Sequence, residues 1–376
     1  MCLTILNLNA IAFTAFTLLH AAESTNPEIQ ASSAKVKREI GDSAILPISN
    51  IGGYWGVEFT NKGDTSVLGE TLKMLIASTC PRTFYFRSSP PDPNNPRIQV
   101  DFGIFASNQQ SEVEFSGRLA PTRRPSYFSD DKFGVFCLRS HNYPRDPFNN
   151  LMELYPDKVI SLWFGNVEPN ILRPNNRHRV NGELSVGSIN QRRIGDGPQV
   201  TFQLKPLQMQ PQVRPRGWVT LNPVEILVGD EAITQGSCDL VFIYEDSKFT
   251  VPSSVYHMIT ERLKNVERQA LDASLPNLPQ DLVPGIYDYA ATERLRRFDC
   301  DDAHLIPDLL LGGLRIPARM LYKIRGDDCK LYVRPKSSGQ IDQCELRLGA
   351  RILANFHVAM RYTVGQESIK FSPRAS

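Results

Sequence analysis

The sequence predicts a mainly β protein built as two lobes joined once. Three observations carry that expectation. From Ala44 onward, short apolar runs rich in β-branched and aromatic residues alternate with Gly, Pro, Asn and Asp turn signals. The runs fall into two series of similar extent. Between the two halves of the chain lies KPLQMQPQVRPRG (205–217), whose Pro- and Gln-rich composition suits a linker. The expected division is an N-terminal lobe over 44–204, the linker, and a C-terminal lobe over 218–376, each mostly β with one or two short helices.

Taken in chain order, residues 1–22 are apolar, end in small residues and are followed by Glu23, which reads as a secretory signal peptide. They carry no basic n-region, so an uncleaved anchor is the alternative. Residues 23–43 are polar and read as a short leader. The first series of strands is YWGVEF (54–59), LKMLIA (72–77), TFYF (83–86), IQVDFGIF (98–105), EVEFSG (112–117), FGVFCL (133–138) and VISLWF (159–164). NNLMELY (149–155) is the one helical stretch among them. The second series runs through ELSVG (183–187), VTFQL (200–204), WVTLNPVEILVG (218–229), DLVFIY (239–244), LLLGGLRI (309–316), KLYVR (330–334), LRLGARIL (346–353), VAMRY (358–362) and SIKFS (368–372). A clearer helix opens at Pro252, with Val255, Ile259, Leu263 and Val266 on one face as core packing.

Composition narrows the function classes. The 376 residues are 41% hydrophobic and 22% charged, as in soluble globular proteins. A net charge of +2 supplies no long-range field, so neither a nucleic acid nor an acidic membrane surface is an expected partner. Arg173, Arg177, Arg179, Arg192 and Arg193 form the strongest basic cluster, read as a solvated loop surface, with a docking patch as the alternative. Of seven cysteines, Cys2 lies in the signal segment; Cys80, Cys137, Cys238, Cys300, Cys329 and Cys344 remain, an even number that favours a disulfide framework. There is no CxxC pair and the six histidines are scattered, so no metal and no cofactor are expected. No Asn-x-Ser/Thr sequon occurs.

A family resemblance lies in particular segments. CDLVFIYEDSKFTVPSSVY (238–256) resembles the second active-site segment of the pepsin-like aspartic proteases, where a Cys, an apolar strand, an Asp-Thr/Ser-Gly turn, a second strand and a Pro-opened helix follow in order. RLGARILANFHVAMRYTVGQESIKFSP (347–373) is similar to that family's closing run, and WVTLNPVEILVGDEAI (218–233) to the strand pair before the active-site segment. In the first half, FGVFCLR (133–139) with NNLMEL and VISLWF resembles the Asp-Gly-Ile-Leu-Gly-Leu segment and its sequel. LKMLIASTCPRTFYFRSS (72–89) resembles the first active-site strand, and IQVDFGIF the flap hairpin. The resemblance spans about residues 44–374 and implies two β-barrel-like lobes with short helices around a central cleft.

It also implies what chemistry to look for. In that family two facing aspartates share one proton, one acting as base on a water and the other as acid toward the leaving group. Laid on the motif, the second Asp falls at Ile243, followed by Tyr244, Glu245 and Asp246 in place of Thr-Gly-Thr. The first falls at Ser78, with Thr79 retained and Cys80 for the glycine; a slip of one residue would put it at Ala77. Neither serine nor isoleucine can do a carboxylate's work near neutral or acidic pH. No Asp-Thr/Ser-Gly triplet occurs in the chain, and Asp64-Thr65-Ser66 and Asp246-Ser247 both lack the glycine. Asp101-Phe102-Gly103 spells a kinase triplet without the rest of that signature, and its Phe102 falls at the flap tyrosine. Gly-x-Ser-x-Gly is also missing.

The resemblance further implies a Cys300–Cys329 disulfide, and suggests Cys80–Cys137 and Cys238–Cys344, with buried free thiols as the alternative for these four. The expected cleft and flap residues are Thr79, Cys80, Phe102, Tyr244, Glu245 and Asp246. The function expected is that of a secreted, catalytically inactive homologue binding a peptide or protein in or near the cleft. An extracellular structural or storage protein with a collapsed cleft is one alternative. An active aspartic endopeptidase, should the motif alignment be wrong in both halves, is the other.

Overall fold

A computed structural model describes residues 43–51, 54–63, 70–78, 80, 83–87, 98–105, 112–123, 133–138, 145–165, 182–205, 217–244, 248–263, 296–336, 344–363 and 365–375. The expected signal peptide and leader lie outside these residues, apart from Ser43. So do Thr79, Glu245, Asp246 and Val266.

Strands dominate, as the alternating apolar pattern predicts. A 12-stranded sheet begins with Val200–Gln203, Ser368–Pro373, Phe356–Arg361, Val159–Phe164 and Gly182–Val186. It continues through Ala44–Ile51, Tyr54–Asn61 and Thr71–Ala77 to Phe133–Cys137, Phe84–Arg87, Glu112–Arg123 and Ile98–Phe105. Two hairpins, one from each half of the sequence, meet in it: Phe356–Arg361 pairs antiparallel with Val159–Phe164, Val358 standing opposite Leu162. The C-terminal half adds an 8-stranded sheet and a separate ribbon of Arg296–Phe298, Asp328–Leu331 and Tyr322–Arg325.

The pairing contains an internal repeat. Thr71–Ala77 runs parallel to Phe133–Cys137, which is antiparallel to Phe84–Arg87, which is parallel to Glu112–Arg123. In the second half Glu231–Ile243 runs parallel to Glu345–Gly349, which is antiparallel to Phe249–Val251, which is parallel to Val333–Pro335. Each half thus inserts a later strand between two earlier ones, in the same order and with the same senses. Gly134 sits where a Cβ would stand 2.6 Å from the Phe84 carbonyl oxygen, so the close approach of these two strands depends on that glycine.

Several boundaries differ from the sequence reading. Ala44–Ile51 is a strand that the apolar pattern had not marked. The run 218–229 is two strands, Trp218–Val219 and Val224–Val228, separated at Pro223, which cannot donate to a ladder. LLLGGLRI is a hairpin of Leu309–Leu311 and Leu314–Ile316. Its turn, Gly312-Gly313, has φ of 54° and 92°, as a two-residue primed turn requires. The first helix is Pro147–Glu153, two residues earlier than its apolar periodicity suggested, because Asp146 caps it and Pro147 opens it. The second, Ser253–Thr260, ends before Leu263, so of the expected stripe only Val255 and Ile259 lie in the helix, where Tyr256 is buried beside them. LRLGARIL breaks into strand Glu345–Gly349 and helix Ala350–Leu353. No helix among the described residues is long and apolar enough to cross a membrane.

Candidate functional site

The repeat identifies equivalent positions in the two halves without reference to any motif. Thr71–Ala77 ends with Ala77 level with Cys137; Glu231–Ile243 ends with Ile243 level with Gly349. Ala77, and not Ser78, is therefore the counterpart of Ile243. The one-residue slip is the register the structure adopts, and Ser78 corresponds to Tyr244. A sequence alignment of one strand could not decide this, since the register of the first parallel pair is fixed by a partner 60 residues away.

Ser78 and Tyr244 bring the halves together. The Ser78 hydroxyl accepts a hydrogen bond from the Tyr244 backbone N–H at 3.1 Å and donates one to the Phe242 carbonyl at 3.4 Å. Ser78 is fully buried. Its hydroxyl is thus committed to holding one strand end against the other. The arrangement is one-sided: Tyr244, in the equivalent position, sends its ring into the core against Trp218 at 5.6 Å and Phe164 at 6.2 Å between centroids. Burial pushes the Tyr244 hydroxyl well above the usual phenol range. None of Ala77, Ser78, Ile243 and Tyr244 carries a carboxylate.

The other expected cleft residues separate. Cys80 is buried and bonded to Cys137, so this disulfide ties the segment just after strand Thr71–Ala77 to the end of its parallel partner Phe133–Cys137. Cys238–Cys344 ties the corresponding parallel pair in the second half, and Cys300–Cys329 closes a loop of 29 residues' separation. Phe102 does not face a cleft: it is wholly buried, stacked on Phe115 at 4.9 Å and edge-on to Phe59 at 5.4 Å. The alternation of IQVDFGIF puts Phe102 on the core side of its hairpin, with exposed Asp101 opposite. Of the basic cluster, Arg173, Arg177 and Arg179 lie outside the described residues; Arg193 pairs with Glu183 and lies 3.9 Å over the Trp163 ring, so it is structural.

One group near the site escaped the sequence reading. Asp146 is buried beside the Cys80–Cys137 bond and accepts from the Thr83 N–H at 2.9 Å, the Thr83 hydroxyl at 3.3 Å and the Phe148 N–H at 2.9 Å. Thr83 in turn accepts from the Cys137 N–H at 3.3 Å. Burial raises the Asp146 carboxyl above its ordinary value, and the hydrogen bonds from Thr83 and Phe148 oppose that rise. The signal was available in Asp-Pro ahead of an apolar run, which marks a capped helix start.

No family model matches the chain, and no curated protein matches it. Among solved structures, the aspartic proteinase from Irpex lacteus superposes with a TM-score of 0.59 at 10% sequence identity, over 89% of this chain and 98% of that one. The fold is that of the pepsin-like aspartic proteinases. In this chain the two equivalent strands end at Ala77 and Ile243, and Ser78 joins them. At this identity the likeness extends to architecture alone.

Proposed function

We propose that this chain is a secreted, catalytically inactive member of the pepsin-like architecture. In this reading its lobes, 44–204 and 218–376 with the linker 205–217, hold a peptide or protein ligand without cutting it. The observation that carries the reading is the pair of strand ends at Ala77 and Ile243. They are equivalent by register, they are bridged through Ser78, and neither has a group that can accept or deliver a proton. Amide hydrolysis on this scaffold needs a proton shared between facing carboxylates, and Ala77 and Ile243 are hydrocarbon. The three disulfides agree with an oxidising, extracellular destination. Binding of the purified protein to a broad immobilised peptide library tests the ligand half of the reading; selective capture of a peptide class is expected, and an empty library counts against it.

A second reading, an extracellular structural protein with a collapsed cleft, is favoured by the burial of Ile243 and Tyr244, at 6% and 2% exposure. Exchange of Tyr244 for threonine separates the two. It should open capacity for peptide if the ring fills the cleft, and leave binding unchanged if a cleft is already open.

A further inference from the structure

A concavity lies where the strands Val159–Phe164 and Phe356–Arg361 have their paired ends. Its cavity measures about 630 Å³, within the size range of small-molecule sites. Three chain segments build it: residues 156–159 leading into Val159–Phe164, 188–191 after Gly182–Val186, and 361–363 at the end of Phe356–Arg361. Both halves of the sequence therefore contribute. Its apolar part is Val159 and the Tyr362 ring, both buried, with half-buried Ile189.

The charges in it are distributed unequally. Lys158 donates to Glu153 at 2.6 Å, so that ammonium has its counter-ion. Arg361, whose Cα stands opposite Val159, is exposed and makes no side-chain hydrogen bond or ion pair with any described residue. Asp157 is the one carboxylate in the lining, and it is unpaired with Arg361. A planar guanidinium beside an apolar surface matches a carboxylate attached to an apolar body, because the fork takes both oxygens at once. A single available cation fits a singly charged head group better than a doubly charged phosphate. We infer that this cleft is a binding site for a small aromatic or aliphatic carboxylate, held by Arg361 with its body against Val159, Ile189 and Tyr362.

The site is independent of the reading given for the strand ends, and its test uses the whole chain with benzoate, benzamide and inorganic phosphate as probes at matched ionic strength. Calorimetry is expected to give benzoate a dissociation constant of about millimolar order, as suits a fragment of its size, with benzamide and phosphate at least about tenfold weaker. Arg361→Gln should bring benzoate down to the benzamide level, and Asp157→Asn should tighten benzoate several-fold by removing a like charge. The two variants thus move affinity in opposite directions, which a general loss of folding cannot imitate. Benzoate binding no better than benzamide, or unaltered by Arg361→Gln, or weakened by Asp157→Asn, would overturn the assignment, as would phosphate binding more tightly than benzoate.

Discussion

A fully buried hydroxyl must satisfy itself inside the protein, and Ser78 does so with the backbone of a strand more than 160 residues away. Ser78→Ala leaves the Tyr244 N–H and the Phe242 carbonyl without that partner, at a cost of roughly 1–3 kcal/mol, read by denaturant unfolding. Ser78→Thr, which keeps the hydroxyl, should cost less. Asp146 answers unequally to its two substitutions. Asp146→Asn offers one acceptor oxygen where the Thr83 and Phe148 N–H groups use two, so one of them is left facing an amide NH2 and stability should fall by roughly 1 kcal/mol. Asp146→Ala should lose about 1–2 kcal/mol through the cap. His357 is 1% exposed, and neither ring nitrogen has a partner. Burial first, and then the charge of Lys370, push its pKa down to about 4, with Glu183 opposing. The folded state therefore stays neutral where the unfolded chain, with an ordinary value near 6.5, takes up a proton. Stability attributable to this histidine is complete above pH ~6.5, falls as the pH drops toward 4, and levels off below, a loss of up to about 3 kcal/mol. His357→Leu should flatten that part of the stability–pH curve. A curve of unchanged slope between pH 6.5 and 4 in the variant would show that other groups control it.

At the scale of elements, the two parallel strand pairs are each closed by a cystine, Cys80–Cys137 and Cys238–Cys344. Loop-closure entropy for the 57-residue separation of Cys80 and Cys137 amounts to about 4 kcal/mol. Replacing both by alanine should lower the thermal midpoint, with circular dichroism still reporting a β-rich fold at low temperature. The sequence was legible here to an instructive degree. Strand existence followed from apolar alternation, because FGVFC, VISLWF and IQVDFGIF are bounded by turn residues, and all three appear where expected. The ends followed less well. The helix at Ser253 stops at Thr260 although its apolar spacing continues, and the strand at 231–243 begins well before DLVFIY because its N-terminal part pairs with Val224–Val228. The choice between Ala77 and Ser78 was open in the sequence for the same reason: register is a property of two strands, and the composition of one does not contain it. Phe102 was misplaced because a motif position was followed where the period-two pattern already assigned that ring to the core.

Over the whole molecule, the two halves repeat one arrangement of four strands and then share a sheet through hairpins from each. Such a plan creates a place where two equivalent strand ends converge, and what happens there depends on the side chains delivered to it. In this chain the delivered residues are Ala77 and Ile243, with Ser78 supplying an uncharged bridge between the halves. On the proposed reading the fold persists without catalysis, because the bridge depends on a hydroxyl and backbone groups, whereas bond cleavage depends on carboxylates. The account is tested most directly by incubating the purified protein with acid-denatured globin across pH 2 to 6, with and without a transition-state inhibitor of aspartic proteases. The expected result is intact globin at every pH and no inhibitor-dependent difference; globin fragments that disappear when the inhibitor is added would contradict it.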